Sequence, residues 1–142
     1  MNAEPTSVFA TANYVNGVDV AMSGVMNFAD GRTANFDCGF THPLRTWVEI
    51  VGTIGVIRIP NLWIPDDRAV FQIHRQNGDF DTSIEEIETP GQNQMVHMLD
   101  DFAEAVREKR ECVPNPDEAV RTGRIMDALA QSAKVEKTVA VA

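Results

Sequence analysis

The stretch VDVAMSGVMNFADGRTANFDCGF (residues 18–40) decides the fold, because apolar and polar side chains alternate along it in two successive runs. Alternation with a period of two is typical of a β-strand that buries one face. Asn16-Gly17 precedes the first run and Asp30-Gly31 follows it, and both dipeptides tolerate the positive φ values of tight hairpin loops. Residues 6–15, 18–29 and 32–42 are therefore predicted to form three antiparallel strands, with Val18, Val20, Met22, Gly24, Met26 and Phe28 on one face of the second.

Shorter strands are predicted downstream at residues 45–51, 56–60, 69–75 and 80–88. The segment EIVGTIGVIRIPNLW (residues 49–63) contains Gly52 and Gly55, a spacing that raises the question of a phosphate-binding loop. A dinucleotide fingerprint needs G-x-G-x-x-G between a strand and a helix, so that phosphate meets the helix N-terminus. Here a second apolar strand follows the glycines. The favoured interpretation is a strand-turn-strand unit in which glycine supplies unusual backbone angles.

The hydrophobic period changes after Pro90-Gly91. Met95, Met98, Leu99, Phe102 and Val106 recur at the spacing of one helix face. A second helix is predicted from the cap residue Asn115 to about residue 134, burying Val120, Met126, Leu129 and Ala133, and residues 138–141 could return as an edge strand. Strands followed by helices predict an α+β fold: a mainly antiparallel, open-faced β-sheet with two helices packed on one face, formed by residues 1–142 as a single domain.

Composition narrows the classes of partner. The chain has 142 residues and a formal net charge of −9, which argues against nucleic acid and anionic membranes because both are bound through clustered Lys and Arg. The sequence has no long apolar run and no signal-peptide pattern, so a cytoplasmic location is expected. Cys38 and Cys112 belong to no CxxC or Cys/His cluster; buried, reduced thiols are expected, and no metal site.

No complete catalytic set is visible, since GxSxG, Walker and HExxH motifs are all absent. His97 and Asp101 stand four residues apart, and a solvated surface pair is favoured over proton transfer. The segment FTHPLR follows a strand and projects His42 and Arg45 from a loop, although the residues alone favour a plain turn. Asp66 and Asp67, beside Trp63, fit a hairpin better than a sugar pocket.

Three short sequence motifs, taken in their order along the chain, resemble the carboxyl-terminal domain of the glucose-fructose oxidoreductase, inositol dehydrogenase and MocA (Gfo/Idh/MocA) family. They are F-x-D-G at residues 28–31, GT-x-G at residues 52–55 and DEAVRTGRIMDALAQSA at residues 117–133. The resemblance implies an NAD(P)-dependent oxidoreductase acting on a sugar, polyol or related cyclic alcohol. It also implies that NAD or NADP is bound by a preceding Rossmann domain that this sequence lacks. No catalytic, cofactor-binding or metal-binding residue is therefore assigned, and the chain alone is expected to be inactive.

The resemblance also implies where the substrate lies. In the family, the segment before the GT-x-G turn often reaches the substrate, so the resemblance implies substrate contacts at Phe40, Thr41, His42 and Arg45. These residues would form hydrogen bonds to substrate hydroxyls, or pair with a carboxylate of the substrate. Trp63 is expected to offer an apolar wall to a sugar ring. A homo-oligomer is expected through the open sheet face. Two alternatives stay open: a free-standing β-sheet dimerisation module without catalysis, and a small cofactor-independent enzyme.

Overall fold

The computed structural model describes residues 3–63, 68–78, 82–113 and 115–141. These residues confirm the α+β class, with strands before helices in chain order. The strands are β1 (Ser7–Val15), β2 (Val18–Asn27), β3 (Thr33–Gly39), β4 (Val48–Gly52), β5 (Gly55–Ile59), β6 (Arg68–Gln76), β7 (Thr82–Pro90) and β8 (Val139–Ala140), and the helices are α1 (Gln94–Glu108) and α2 (Pro116–Val135). The chain divides into two compact units, one formed by residues 1–43 and 112–142 and the other by residues 44–111.

The described strands form two four-stranded antiparallel sheets, in keeping with the predicted, mainly antiparallel α+β fold. The first sheet has the order β3-β2-β1-β8 and belongs to the first unit, whereas the second has the order β4-β5-β6-β7 and belongs to the second unit. Every neighbouring pair is antiparallel. The predicted edge strand at the carboxyl-terminal end is confirmed, since β8 pairs with Ser7 and Val8 of β1.

The two predicted hairpins of the first unit form with different loops. Asn16 and Gly17 both have positive φ (52° and 82°), as a two-residue loop of the primed type requires. The second loop is longer: the Phe28 N–H donates to Arg32 O (3.0 Å), the Gly31 N–H donates to Phe28 O (3.1 Å), and Gly31 has a φ of 85°. The Asp30 carboxylate also accepts from the Arg32 backbone N–H (3.2 Å) and from its guanidinium (2.7 Å).

The core of the first unit lies between its sheet and α2. Val8 and Ala10 of β1 pack with Ala128, Leu129 and Ala133 of α2, and all five side chains are buried. Part of the prediction for this helix is wrong, because Val120 and Met126 are exposed and only Leu129 and Ala133 of the predicted four are buried. Met22, Met26 and Phe36 also pack against this core, so α2 covers the apolar face of the first sheet.

One buried polar side chain joins the helix to the sheet. The Ser132 hydroxyl accepts from the Ala10 backbone N–H (3.0 Å) and donates to the Lys137 carbonyl (2.6 Å). Because β8 pairs only with Ser7 and Val8, Ala10 lies beyond its end. Ser132 therefore supplies an acceptor that β8 is too short to provide at Ala10.

The second unit confirms the strand-turn-strand prediction for residues 49–63. The predicted reason for its glycines, unusual backbone angles, is wrong. Gly52 pairs with Gly55 at the end of the β4–β5 hairpin, and neither glycine has a positive φ. Gly55 is instead held against β6: a Cβ at this position would lie 2.3 Å from the His74 carbonyl oxygen. The glycine is needed for close packing of two backbones rather than for an unusual backbone angle.

Helix α1 starts and ends with well-formed caps. The Asn93 side chain accepts from the backbone N–H groups of Met95 (3.0 Å) and Val96 (3.4 Å), and Lys109 ends the helix in the left-handed conformation.

The apolar stripe of α1 is exposed, with Leu99 at 60% and Phe102 at 58%. Helix α2 packs against β1 of its own unit, whereas α1 makes no extensive contact with a described strand of the second unit.

Arg110 follows α1 and forms hydrogen bonds with three carboxylates of that helix. Its guanidinium donates to Asp101 (2.7 Å), Glu104 (3.2 Å) and Glu108 (3.2 Å). The hydrogen bond to Asp101 is the largest cause that raises the pKa of Arg110 above its ordinary value. This cation thus compensates part of the acidic surface that the negative net charge predicts.

Candidate functional site

The segment predicted to contact substrate begins where β3 ends. Phe40 is anchored through its backbone, since its N–H donates to the Val20 carbonyl (2.9 Å), whereas its side chain is 87% exposed. Thr41 and His42 follow in a bend, and Pro43 is the last residue of the first unit. The backbone thus fixes the start of the loop while the side chains of Phe40, Thr41 and His42 remain exposed.

His42 lines a shallow pocket of about 150 Å³ on the first sheet. The other lining residues are 11–13 of β1 and 21–23 of β2. The registers place Thr11 opposite Ser23, and Asn13 opposite Ala21, which in turn pairs with Gly39. Residues opposite one another share a face, and these odd-numbered β1 residues lie on the face away from Val8 and Ala10. The pocket is therefore on the face of the first sheet that α2 does not cover.

Gly39 makes room for the imidazole of His42. A Cβ at residue 39 would lie 2.9 Å from His42 Cδ2 and 2.9 Å from the Val20 carbonyl oxygen. The absence of a side chain lets the ring approach the sheet at the end of the row formed by Asn13, Ala21 and Gly39. Small residues on this row leave an indentation that larger side chains would fill.

The pocket presents hydrogen-bonding side chains. Two hydroxyls, one carboxamide and one imidazole belong to its lining, and the described lining residues include no Lys, Arg, Asp or Glu. Hydroxyls and amides both donate and accept, so this set matches the hydrogen-bonding pattern of ligand hydroxyl groups. Asp37 is the nearest acidic residue in the register, directly opposite Ser23 on β3.

The other two predicted contacts lie in the second unit. Arg45 belongs to the exposed segment before β4, and the indole of Trp63 is 60% exposed. The Trp63 carbonyl accepts from the Gln94 side-chain amide (2.5 Å), which ties this segment to the first turn of α1. Of the five predicted residues, His42 alone belongs to the described lining of the pocket.

The remaining candidates from the sequence are Asp66, Asp67, His74 and the His97/Asp101 pair. Asp66 and Asp67 lie outside the described residues. Asp101 accepts from Arg110, and His97 is exposed. His74 Nε2 lies 3.4 Å from the Gln72 side-chain oxygen within β6.

Two absences hold for the described part of the chain. It has no group of three or more His, Cys, Asp or Glu side chains suited to a metal ion, and no helix long and apolar enough to cross a membrane. Both cysteines are free, but the prediction of buried thiols is wrong, since Cys38 is exposed and Cys112 is half-buried.

Sequence reasoning missed Thr11, Asn13 and Ser23 as pocket residues. The alternation placed Ser23 on the polar side of β2, but nothing in the sequence showed which β1 residues lie opposite it. A β-bulge between Asn13 and Tyr14 shifts the register by one residue, which brings Thr11 rather than Ala10 opposite Ser23.

The sheets and helices define an α+β fold, and a comparison with protein families identifies the family to which it belongs. A model of the carboxyl-terminal α/β domain of the oxidoreductase family named Gfo/Idh/MocA matches residues 2–141. The chain therefore belongs to this family, as the three sequence motifs predict. The chain matches none of the curated proteins with which it was compared.

Solved structures with the same fold include three oxidoreductases. Aldose-aldose oxidoreductase from Caulobacter crescentus, complexed with glycerol, is 21% identical with a TM-score of 0.78, and the match covers 97% of this chain and 42% of that one. Levoglucosan dehydrogenase, in complex with NADH and L-sorbose, is 19% identical with a TM-score of 0.79, covering 98% and 45%. An oxidoreductase from Agrobacterium radiobacter, in complex with NAD+, L-tartaric acid and magnesium, is 16% identical with a TM-score of 0.69, covering 97% and 44%. The chain thus spans less than half the length of these structures.

Proposed function

We propose that this chain is the substrate-binding and oligomerisation domain of an NAD(P)-dependent oxidoreductase that acts on a sugar, polyol or related cyclic alcohol. The observation that carries the proposal is the family match over residues 2–141, together with coverage of only 42–45% of two relatives that act on or bind such compounds. In this proposal the nicotinamide cofactor, NAD or NADP, is bound by a domain outside these residues. The chain alone is inactive, and residues 1–142 act as one domain in the cytoplasm.

The first unit supports the substrate role. Phe40, Thr41 and His42 follow β3, and His42 adjoins a pocket whose hydroxyl and amide groups suit a polyhydroxylated ligand. Arg45 and Trp63 are kept as proposed substrate contacts of the second unit, where the exposed indole offers an apolar surface to a sugar ring. Hydride transfer itself requires the cofactor domain, so no catalytic residue is assigned here.

The second sheet supports the oligomerisation role. Its registers place seven apolar side chains on one face, here called the isoleucine face: Val48, Ile50, Ile57, Ile59, Phe71, Ile73 and Ile87. Within the second unit, neither α1 nor any other described element packs extensively against this face. A contiguous apolar sheet face of this kind is typical of a surface that another protein surface covers.

Two measurements test the enzymatic role. The chain alone should show no thermal shift with NADH, because the nucleotide site lies outside it; a clear NADH-induced shift would contradict the assignment. The protein translated from the complete reading frame should reduce NAD(P)+ in the presence of a sugar or polyol. If the reading frame encodes no nucleotide-binding domain, the alternative of a free-standing dimerisation module, which the isoleucine face also fits, is supported instead.

A further inference from the structure

We infer that Asn77 is a site of spontaneous deamidation, and that the fold directs this modification to Asn77 while it protects the other labile dipeptides of the chain. Glycine follows Asn or Asp at three places in the sequence: Asn16-Gly17, Asp30-Gly31 and Asn77-Gly78. The sequence alone makes all three candidates for the same chemistry, and the structure distinguishes among them. The inference concerns the chain itself and does not depend on the proposed function.

The reaction needs only the residue pair and water. The Gly78 backbone nitrogen attacks Cγ of the Asn77 carboxamide and loses its proton as the N–Cγ bond forms. The Cγ–Nδ2 bond then breaks, and the side-chain nitrogen leaves as ammonia. Water opens the resulting succinimide ring at either carbonyl, which gives aspartate or isoaspartate. Glycine favours the attack because it has no Cβ to shield the nitrogen or to restrict the backbone.

Asn77 and Gly78 lie just outside the paired part of the β6–β7 hairpin. The last pair before the connection joins Gln76 to Thr82, and the Gln76 N–H donates to the Ile54 carbonyl (3.4 Å). Asn77 and Gly78 are both exposed, and a Cβ at residue 78 would meet no atom within 4 Å. Rotation about the Cα–C bond of Asn77 can therefore bring the Gly78 nitrogen to Cγ without breaking a strand pair.

Asn16 is held in a conformation that opposes ring closure. The ring requires the glycine nitrogen and the asparagine Cβ to eclipse one another about the Cα–C bond, whereas a primed turn, with ψ of about +30° at its first central residue, keeps them nearly anti. Asn16 has a φ of 52°, and Val15 pairs with Val18 directly beside the turn. The reaction must therefore wait until this end of the hairpin opens. An open form populated at about 10% or less slows the reaction about tenfold or more.

Asp30 is protected at both reacting groups. The same ring would form from its carboxyl by attack of the Gly31 nitrogen and loss of water. The Gly31 N–H is already engaged with the Phe28 carbonyl (3.1 Å). The Asp30 carboxylate accepts from the Arg32 backbone N–H (3.2 Å) and guanidinium (2.7 Å), and these bonds favour the ionised form, which is a poor electrophile.

A time course of the purified chain tests this selection. The chain is kept at mildly alkaline pH, where hydroxide removes the glycine N–H proton, and tandem mass spectrometry of proteolytic peptides locates the modified residues. In the folded chain, Asn77 is expected to convert first to aspartate and isoaspartate, with Asn16 about tenfold slower or more. In concentrated urea, the two asparagines should convert at similar rates because both precede glycine.

Three results of the time course would overturn the inference. They are no conversion at Asn77, conversion of Asn16 at the rate of Asn77 in the folded chain, and the same difference between the two asparagines in urea. The last result would mean that the local sequence, and not the fold, makes the selection.

Gly78→Ala tests the attacking nitrogen. Alanine fits this exposed position, and conversion of Asn77 should slow about tenfold or more because the Cβ shields the nitrogen and restricts the backbone. Gly123→Ala in α2 is the matched control, since a Cβ there also meets no atom within 4 Å. That variant should convert Asn77 at the original rate. Equal rates in the two variants would contradict attack by the Gly78 nitrogen.

Charge provides an independent readout. Deamidation adds one carboxylate to a chain whose formal net charge is −9. Asn77→Asp carries that charge from the start, so it marks the position in ion-exchange chromatography at which the aged original chain should elute. Asn77→Ser cannot deamidate at this residue and should form the more acidic species far more slowly. Its formation at the original rate would place the modification elsewhere and overturn the assignment to Asn77.

Discussion

The hydroxyl of Ser132 lies 3.0 Å from the backbone nitrogen of Ala10, and this contact links α2 to the central strand pair of the first sheet. Both residues are fully buried. Ala128 and Ala133 beside the serine are small, which lets the helix backbone come close enough for a short side chain to reach β1. The contact thus depends on close packing of helix and sheet and also satisfies a strand N–H that β8 does not reach.

Ser132→Ala tests the importance of this contact. Without the hydroxyl, the buried Ala10 N–H loses its acceptor, and the free energy of unfolding should fall by about 1–3 kcal/mol. Amide hydrogen exchange at Ala10 is the most direct measurement, and exchange there should accelerate markedly. Ser83→Ala is the control because Ser83 is exposed on β7, so that variant should leave exchange at Ala10 unchanged. Equal protection of Ala10 in the two variants would show that the hydroxyl is dispensable.

The turn at Gly52 and Gly55 provides a second test, in which two glycines of one hairpin should respond differently. Gly55→Ala places a Cβ 2.3 Å from the His74 carbonyl oxygen, so β5 and β6 must separate. We expect a loss of about 1–3 kcal/mol in the stability of the second unit, the usual cost of overpacking. Gly52→Ala meets its nearest atom at 3.6 Å and should be close to neutral. Trp47 and Trp63 fluorescence during urea unfolding reports on this unit; similar midpoints for the two variants would contradict the close approach.

The sequence was sufficient to predict the strands and helices, but not the register in which the strands pair. Alternation, turn dipeptides and capping residues predict each described strand and both helices to within a few residues, because these signals are local. The pocket depends on the β-bulge near Asn13, which no local pattern reveals. The division into two sheets and the packing of Met22 against the core beneath α2 depend equally on contacts between distant residues. Local signals also misattributed Gly55, whose requirement comes from β6 rather than from its own turn.

The Asp30 turn should show a defined pH dependence. The Arg32 backbone N–H, with smaller contributions from the Arg32 guanidinium, lowers the pKa of the Asp30 carboxyl below its ordinary value of 3.8. Because the folded pKa is depressed, the stabilisation is present above the unfolded pKa and disappears as the pH falls through the folded value. The pH range over which this stabilisation is lost therefore lies below about pH 4.

Arg32→Ala separates the two contributions to that pKa. The variant loses the guanidinium but keeps the backbone N–H, which is the larger cause, so the pKa of Asp30 should rise only part of the way to its ordinary value. NMR titration of the Asp30 side-chain carboxyl measures the change. A full return to the ordinary value would mean that the guanidinium, and not the turn backbone, dominates.

Adjacent residues of β4 test the proposed oligomer. Ile50 belongs to the isoleucine face and pairs with Ile57, which pairs in turn with Ile73, whereas Val51 lies on the opposite face. The two side chains are 48% and 75% exposed, so both accept a lysine without burial inside the unit. If the isoleucine face associates with a second copy, Ile50→Lys buries an unpaired charge in the interface, and the dissociation constant should rise by about 30-fold or more. Val51→Lys adds the same charge outside the interface and should retain the oligomer. Light scattering across a concentration series distinguishes the two variants: dissociation of both, or of neither, would place the interface elsewhere.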